Sequence, residues 1–238
     1  MIPELTLVED VADAFAAIVG AAVGSATPGT PVRLCCSGGT TGRACAEALV
    51  RADVDLSGAE LFFADERCVT PDSPDANERT WRDALGERVA ALAGFHPMRC
   101  ADGADAYEAL LRAGGPLDVL QLGVGPDGHT ASLFAGSPAL VVPPGRLVAP
   151  NEDPSGRNAH ARLTLTYEAI AAARLVVVTV SGADKHAVLA RLAAGEDLPA
   201  ARLAPGETVW LVDAPAAGTL AARPASASAL ADLGRRPR

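Results

Sequence analysis

Short apolar segments of strand length alternate with amphipathic, helix-like segments along most of this chain, and this alternation limits the possible folds more than any other feature. Strands that alternate with helices form a mostly parallel sheet covered on both faces. The sequence therefore predicts an α/β fold, a three-layer open sheet with helices on both faces. The predicted strands are 32–36, 60–64, 117–122, 147–149, 174–180 and 208–212, and the predicted helices are 8–23, 43–51, 78–89, 104–112, 167–173 and 185–194.

The chain is predicted to form a single domain over residues 1–238. No internal repeat or long linker divides it, and 49% hydrophobic residues in a chain of 238 are sufficient for one sizeable core. The tail over 224–238 is expected to fray or to form one short helix at 228–233. Segments rich in Pro and Gly at 135–145 and 150–158 are expected to be long functional loops within this domain, and whether loop 135–158 closes over a substrate is left open.

The charge balance argues against nucleic acid as a partner. The chain carries 20 Lys and Arg against 29 Asp and Glu, a formal charge of −9, whereas binding to a phosphate backbone requires a basic surface. No apolar run reaches the roughly 18 residues of a membrane helix, and the first residues lack the basic region of a signal peptide. We therefore expect a cytoplasmic protein with no membrane partner. Its oligomeric state, monomer or homodimer, is left open.

The five cysteines form no CxxC pair and no cluster with histidine, so neither a disulfide framework nor a zinc site is indicated. We expect buried, reduced thiols. The cysteines are Cys35, Cys36, Cys45, Cys68 and Cys100.

The first candidate site follows the predicted strand 32–36. Ligands of open parallel sheets bind beyond the carboxyl ends of the strands. Here two glycines permit a tight turn, and the N–H groups of the following helix together with three hydroxyls would form a phosphate cradle. The alternative is an ordinary strand-to-helix turn with a threonine N-cap. The residues are Ser37, Gly38, Gly39, Thr40 and Thr41.

The second candidate site is the charged triplet Asp65, Glu66 and Arg67, directly after the predicted strand 60–64. Two carboxylates and a guanidinium at a strand end could present a base and a cation to a ligand. They could equally form a solvated ion pair. Downstream polar residues are interpreted as turn and helix N-cap residues, namely Asp72, Asp75 and Asn77.

The third candidate site is the Gly-rich segment 123–134. Its first six residues match GxGxxG, and Glu152 follows at about the spacing of a dinucleotide-binding site. The context does not fit, because Pro and Gly limit any following helix to about two turns and Pro126 removes a backbone donor. A dinucleotide-dependent dehydrogenase is therefore a distant alternative.

The same segment carries the strongest candidate catalytic residue, His129. Imidazole titrates near neutral pH and can act as a general base on water. We expect His129 to begin a short helix, whose N-terminus favours the neutral form that a base requires. The alternative is a capping or hydrogen-bonded histidine. Structural or solvent-exposed roles are expected for His96, His160 and His186.

With these motifs in this order, the chain resembles the family of 6-phosphogluconolactonases and glucosamine-6-phosphate isomerases/deaminases, which has a Rossmann-like fold. GPDGHTASLF at 125–134 and ADERCVTPDSPDAN at 64–77 carry the resemblance most specifically. SGGTTG at 37–42, RLTLTYEAIAAAR at 162–174 and SGADK at 181–185 add to it.

The resemblance implies roles for individual residues. His129 would activate the attacking water, and Asp127 would orient His129. The loop 37–41 would hold a sugar phosphate. Backbone N–H groups at 125–130 are the expected oxyanion donors, and no cofactor or metal is implied. Arg67 would contact the substrate, and Asp65 would be the acid beside this arginine. Arg162 and Lys185, the only lysine in the chain, would contact the phosphate. Arg157 could substitute for Arg162 in this contact.

The chain departs from the family pattern at several positions. Phe134 stands where the deaminase relatives carry a glutamate, so no carboxylate is available there to assist ring opening. The resemblance therefore implies hydrolysis of 6-phospho-D-glucono-1,5-lactone to 6-phosphogluconate, in the oxidative pentose phosphate pathway, over isomerisation or deamination. A non-catalytic sugar-phosphate sensor is a further alternative. The minor departures are Thr40, Thr41, Gly42 and Ala76.

Overall fold

A computed structural model describes residues 4–203 and 208–235 of the chain. Within these ranges, no helix combines the length and the apolar character that a bilayer crossing requires. The strands are β1 (Leu5–Leu7), β2 (Val32–Cys36), β3 (Ala59–Phe63), β4 (Asp65–Arg67), β5 (Gly94–His96), β6 (Val119–Leu122), β7 (Val148–Asn151), β8 (Arg162–Leu165), β9 (Val176–Val180), β10 (Thr208–Val212) and β11 (Ala222–Pro224). The α-helices are α1 (Val11–Gly24), α2 (Gly39–Arg51), α3 (Asn77–Leu85), α4 (Gly103–Ala113), α5 (Tyr167–Ala171), α6 (His186–Ala193), α7 (Ala214–Ala217) and α8 (Ala227–Gly234).

The main sheet confirms the predicted α/β fold. Among the described residues, eight strands pair in the order β11-β1-β10-β9-β6-β2-β3-β5, and every neighbouring pair is parallel. Helices α1 to α3 connect strands that advance towards β5, whereas α4 to α7 connect strands that advance towards β11. Because parallel crossovers are right-handed, the two groups cover opposite faces of the sheet.

The direction of the crossovers reverses between β2 and β6, which are neighbours in the sheet. The chain leaves β2 towards β5 and leaves β6 towards β11, so the two loops that follow these strands diverge. This divergence opens a crevice at the carboxyl ends of β2 and β6, where open parallel sheets bind ligands.

The interior of the sheet is apolar, as the sequence predicts. Each residue of β9 is buried, and this strand lies between β6 and β10. Two polar side chains interrupt this region, Gln121 of β6 and Thr179 of β9, and both are buried.

A second, smaller sheet was not predicted. Strands β4, β8 and β7 form it in that order, with antiparallel pairing. Its strands have three or four residues, too short for a clear alternation of apolar and polar positions. The pairing sets Arg67 directly opposite Arg162.

The C-terminal segment contains the helix α8, which agrees with the alternative of one short helix near residues 228–233. Strand β11 pairs with β1, and α8 packs on α1. Only a glycine fits at Gly234, because a Cβ there would lie 2.1 Å from the carbonyl oxygen of Ile18. Residues 236–238 lie outside the described ranges.

The expectation that all cysteines are reduced is wrong for one pair. Cys68 and Cys100 form a disulfide, with their Cα atoms 5.3 Å apart. Cys68 follows β4 and Cys100 follows β5, and their separation of 32 residues gives no indication that the fold brings them together. The expectation of buried thiols is confirmed for the other three, Cys35, Cys36 and Cys45.

Candidate active site

A cavity of about 380 Å³ opens at the carboxyl ends of β2, β3, β6 and β9. It brings together ten of the residues predicted from the sequence. Asp127 does not line the cavity but contacts His129, which does. The ten predicted residues are Ser37, Gly38, Gly39, Thr40, Thr41, Asp65, Arg67, His129, Arg162 and Lys185.

Several lining residues were missed from the sequence. Ser181 is the first residue after β9, so its position at a strand end is a signal that could have found it. The N-cap of α1, Asp10, gives no such signal, because its carboxylate accepts hydrogen bonds from the N–H groups of Ala12 and Asp13. The missed lining residues include Asp10, Asn77, Asn158, Ser181 and Asp184.

The loop after β2 leads into α2 without a side-chain cap. Gly38 is the N-cap residue, so the alternative of a threonine cap is wrong. A Cβ at Gly38 would lie 1.7 Å from Oδ1 of Asn77, and Gly39 has a φ of 71°, so this approach requires glycine at both positions. The N-terminus of a 13-residue helix therefore faces the cavity, an arrangement that attracts anions.

Lys185 brings a positive charge to the same cavity. It ends the 3₁₀ turn Ala183–Lys185 that follows β9. Its Nζ donates a hydrogen bond of 3.0 Å to the carbonyl oxygen of Val124 and lies 3.9 Å from the carboxylate of Asp184. The ammonium group is thus held beside the loop that follows β6.

Asp65 is buried rather than solvated, so the interpretation of the charged triplet as a solvated ion pair is wrong for this residue. Its carboxylate accepts hydrogen bonds from Oγ of Ser132 at 2.6 Å and from Nδ2 of Asn77 at 3.2 Å. The guanidinium of Arg162 lies 3.8 Å away. The carboxylate is therefore fixed in position at the edge of the cavity.

The neighbouring Glu66 has a structural role. Its carboxylate accepts hydrogen bonds from the backbone N–H groups of Asn77 at 2.8 Å and Glu78 at 2.7 Å, at the start of α3. Burial raises the pKa of Glu66 to about 7, although these backbone hydrogen bonds act in the opposite direction. Glu66 thus anchors the helix that follows the charged triplet.

Asn77 was predicted as a helix N-cap, and this prediction is wrong. Ala76 occupies the cap position, and the α-helix ends at Leu85 instead of extending to residue 89. The amide of Asn77 instead donates to Asp65, at both its carbonyl and its carboxylate oxygen. The side chain joins Asp65 to the glycine loop after β2.

Two arginines face each other across the small sheet and line the cavity. Within the described part of the chain, the Nε atoms of Arg67 and Arg162 are buried without a hydrogen-bond partner. Burial and the charge of Arg67 lower the pKa of Arg162. Two adjacent cations with unused donors favour an anionic ligand. Arg157 does not appear among the lining residues, whereas its neighbour Asn158 does.

His129 lies in a series of turns, so the expectation that it begins a helix is wrong. The N–H of Gly125 donates to the carbonyl of His129 and that of Gly128 donates to the carbonyl of Gly125, each at 2.9 Å. Ala131 has a φ of 47°, a left-handed conformation that interrupts a right-handed helix. The absence of a helix also removes the dinucleotide-binding context for this segment.

A carboxylate, rather than a helix N-terminus, contacts this imidazole. Nδ1 of His129 lies 2.5 Å from Oδ1 of Asp127. Burial would raise the pKa of Asp127, but its hydrogen bonds with His129 and the charge of that side chain outweigh burial and lower it. An ionised Asp127 accepts a proton-bearing Nδ1 and leaves Nε2 of His129 as the basic nitrogen.

The Gly-rich loop uses much of its own hydrogen-bonding capacity. The N–H of His129 donates to Asp127 at 3.2 Å, and those of Gly125 and Gly128 donate to carbonyl groups of the loop. These three groups, which were expected as oxyanion donors, are already engaged. A Cβ at Gly125 would lie 2.2 Å from Cε1 of His129, so glycine is needed for the ring to occupy this position.

The remaining histidines have other contacts and do not appear among the lining residues. His96 stacks on Phe62 with ring centroids 4.4 Å apart. Nε2 of His160 lies 3.0 Å from Asp75, and Nδ1 of His186 lies 3.2 Å from a carbonyl oxygen. These contacts agree with the structural roles expected for them.

The chain is similar to a known protein family and to curated relatives. The family model described as Glucosamine-6-phosphate isomerases/6-phosphogluconolactonase matches residues 4–210. The 6-phosphogluconolactonase of Synechocystis sp. is 38% identical over 196 residues, which cover 74% of this chain and 80% of the relative. That of Rhizobium meliloti is 35% identical over 202 residues, which cover 80% and 84%.

A solved structure extends this similarity to the fold. The crystal structure of 6-phosphogluconolactonase from Leishmania guyanensis is similar with a TM-score of 0.77 and 26% sequence identity, over 93% of this chain and 100% of that one. The match to the family model spans most of the sequence, and the curated relatives exceed 30% identity over more than two thirds of it. The chain therefore belongs to the glucosamine-6-phosphate isomerase/6-phosphogluconolactonase family.

Proposed function

We propose that this protein hydrolyses 6-phospho-D-glucono-1,5-lactone to 6-phosphogluconate, a step of the oxidative pentose phosphate pathway. The names of its relatives support this substrate. One observation carries the proposal: a histidine paired with an ionised carboxylate lines the same cavity as an uncapped helix N-terminus and two guanidinium groups with unused donors. The cavity thus combines a base for water with a site for an anion.

The phosphate is assigned to the loop 37–41 and Lys185. The N-terminus of α2 supplies backbone N–H groups and a partial positive charge, and the ammonium group supplies a full one. Both are fixed by the fold before a ligand arrives, because Lys185 is held by Val124 and the loop is held by the backbone hydrogen bonds of Ser37. Binding of the phosphate would orient the lactone ring towards His129.

His129 is assigned as the general base. Nε2 accepts a proton from water as the water oxygen forms a bond with the lactone carbonyl carbon, and the carbonyl oxygen takes the negative charge. The tetrahedral intermediate then collapses and breaks the bond between this carbon and the ring oxygen. The imidazolium returns its proton to the departing oxygen, which leaves a free hydroxyl group and a carboxylic acid, and the acid loses its remaining proton to water to give the carboxylate.

Charge stabilisation in this step is assigned to Arg67 and Arg162. Both guanidinium groups line the cavity, so their positive charge lies close to an oxygen that gains negative charge there. Asp65 keeps Arg162 in place through a 3.8 Å ion pair and a shared contact with Ser132.

Phe134 favours lactone hydrolysis over isomerisation or deamination on the same fold. Its ring is buried, with its centroid 5.0 Å from that of His129. Ring opening and proton transfer along an amino sugar would use a carboxylate at this position, and a phenyl ring supplies none. A sugar-phosphate sensor would have no use for the pair of His129 and Asp127.

The test is the rate of hydrolysis of freshly generated 6-phosphogluconolactone, corrected for its spontaneous hydrolysis, beside the release of ammonia from glucosamine 6-phosphate. We expect acceleration of lactone hydrolysis only. Ammonia release without lactone hydrolysis would assign the deaminase activity instead. Binding of 6-phosphogluconate without either activity would assign a sensor.

A further inference from the structure

The side chain of Gln121 is a polar group in the apolar centre of the main sheet that the proposed function does not use. It belongs to β6, and its exposure is 0%. The other three residues of this strand are valine and leucine. A buried amide is unfavourable unless its donors and acceptor are all engaged, so its partners indicate what it does.

The acceptor of this amide holds the first residue of the glycine loop. Oε1 of Gln121 accepts a hydrogen bond of 2.9 Å from the backbone N–H of Ser37. Ser37 directly follows β2, where the loop turns away from the sheet. Its hydroxyl donates to the carbonyl oxygen of Gln121 at 3.3 Å, and its own carbonyl accepts from Nε1 of Trp81 at 3.0 Å.

The donor side of the amide is held in turn by β9. Nε2 of Gln121 donates to Oγ1 of Thr179 at 2.7 Å, and Thr179 donates to the carbonyl of Leu122 at 3.2 Å. This polar chain joins the start of the glycine loop to two central strands.

We infer that Gln121 is a positioning residue that presets the loop 37–41 for the substrate phosphate, without touching the substrate. The inference rests on the proposed function of this loop. Because the amide is buried beneath the loop, it acts only through Ser37. Loss of the amide acceptor should therefore weaken phosphate binding more than it slows the chemical step at His129.

The test compares Gln121→Met, which retains the volume of the side chain and removes both hydrogen bonds, with the wild-type protein. We expect KM for 6-phosphogluconolactone and Kd for 6-phosphogluconate to rise on the order of tenfold, the effect of one buried hydrogen bond. We expect kcat to change by less than about twofold, since His129 and Asp127 keep their contacts. Tyr107→Phe is the control, because it removes a buried hydroxyl that contacts Phe63 outside the cavity.

Unchanged KM and Kd in a folded Gln121→Met protein would overturn the inference, as would a fall in kcat at least as large as the rise in KM. If this variant does not fold, Thr179→Val is measured instead. It leaves the hydrogen bond between Gln121 and Ser37 in place and removes the acceptor for Nε2 of Gln121. A rise in KM and Kd of Thr179→Val that is smaller than the roughly tenfold rise expected for Gln121→Met supports the inference, and no rise overturns it. Calorimetric binding of 6-phosphogluconate requires no turnover, so a failure of the proposed lactonase activity would be distinguished from a failure of this inference.

Discussion

At the scale of single residues, the cavity brings three cationic side chains together. Arg67 and Arg162 lie opposite each other in the small sheet, and Asp65 is the carboxylate closest to Arg162, at 3.8 Å. Lys185 adds an ammonium group beside the loop after β6. In a chain with a net charge of −9, these three cations in one cavity are the feature that would select an anionic substrate.

Replacement of Lys185 by alanine tests the phosphate contact. We expect KM for the lactone to rise roughly tenfold or more, because a charged hydrogen bond is lost, while kcat stays within about twofold. Arg157→Ala is a matched control, since it removes one positive charge from an exposed position that does not line the cavity. An unchanged KM in Lys185→Ala, or an equal rise in the control, would refute the assignment.

Replacement of Asp127 by asparagine tests the orientation of His129. An amide can donate to Nδ1 and thereby favour the wrong tautomer, so we expect kcat to fall by about 10² or more with little change in KM.

The pKa of Asp127 is lowered in the folded protein, so the stability that this carboxylate contributes is present above its ordinary pKa and is lost as the pH falls through the lowered one. The free energies of unfolding of wild type and Asp127→Asn should therefore converge in acid. A difference that persists throughout the acid range would contradict the pairing.

The residues of the site could be predicted better than their geometry. Glycines and hydroxyls after β2, charges after β3 and a histidine after β6 are visible in the sequence because they interrupt apolar strands. The partner of His129 was predicted, but the local backbone was not: a left-handed Ala131 replaces the expected helix, and Asp127 fixes the ring. Such contacts depend on backbone angles that no residue pattern here encodes.

At the scale of elements, the small sheet orders the segment that carries Arg67. Strand β4 pairs with β8, and the Cys68–Cys100 bridge then ties the chain just beyond Arg67 to the chain beyond β5. Short strands with charged residues gave no periodic signal, whereas the five-residue strands β2, β3 and β9 were predicted to within one or two residues. Tertiary pairing, rather than local preference, determines β4.

The disulfide should contribute measurable stability. A bridge across 32 residues restricts the unfolded chain, and the double variant Cys68→Ser, Cys100→Ser should lose about 2–4 kcal/mol in free energy of unfolding. A reductant should destabilise the wild type similarly and leave the double variant unaffected. Titration of the denatured wild type without reductant should find the three thiols of Cys35, Cys36 and Cys45. Five thiols, one for each cysteine, would show that the bridge is absent.

At the scale of the whole molecule, the order of the strands determines where the site lies. The fold class follows from the alternation of strands and helices, but the reversal between β2 and β6 depends on which strands pair, and local sequence does not specify this. The extent of the domain also stays a prediction. Buried apolar residues from α1 to α8 form one contiguous cluster, which favours a single unit.

A single cooperative unfolding transition is therefore expected. Trp81 in α3 and Trp210 in β10 are both buried and report on distant parts of the sheet. Thermal unfolding followed by tryptophan fluorescence and by far-ultraviolet circular dichroism should give coincident curves, and both should shift upward with 6-phosphogluconate. Two separate transitions would contradict a single domain.

The most direct test of the central claim is the hydrolysis of freshly generated 6-phosphogluconolactone by wild type and His129→Ala in parallel. We expect kcat to fall by about 10²–10⁴ in the variant, the usual contribution of a general base, while Kd for 6-phosphogluconate is retained. His160→Ala, which removes a histidine paired with Asp75 outside the cavity, should keep full activity. Equal acceleration by wild type and His129→Ala would contradict the assignment of this imidazole as the base.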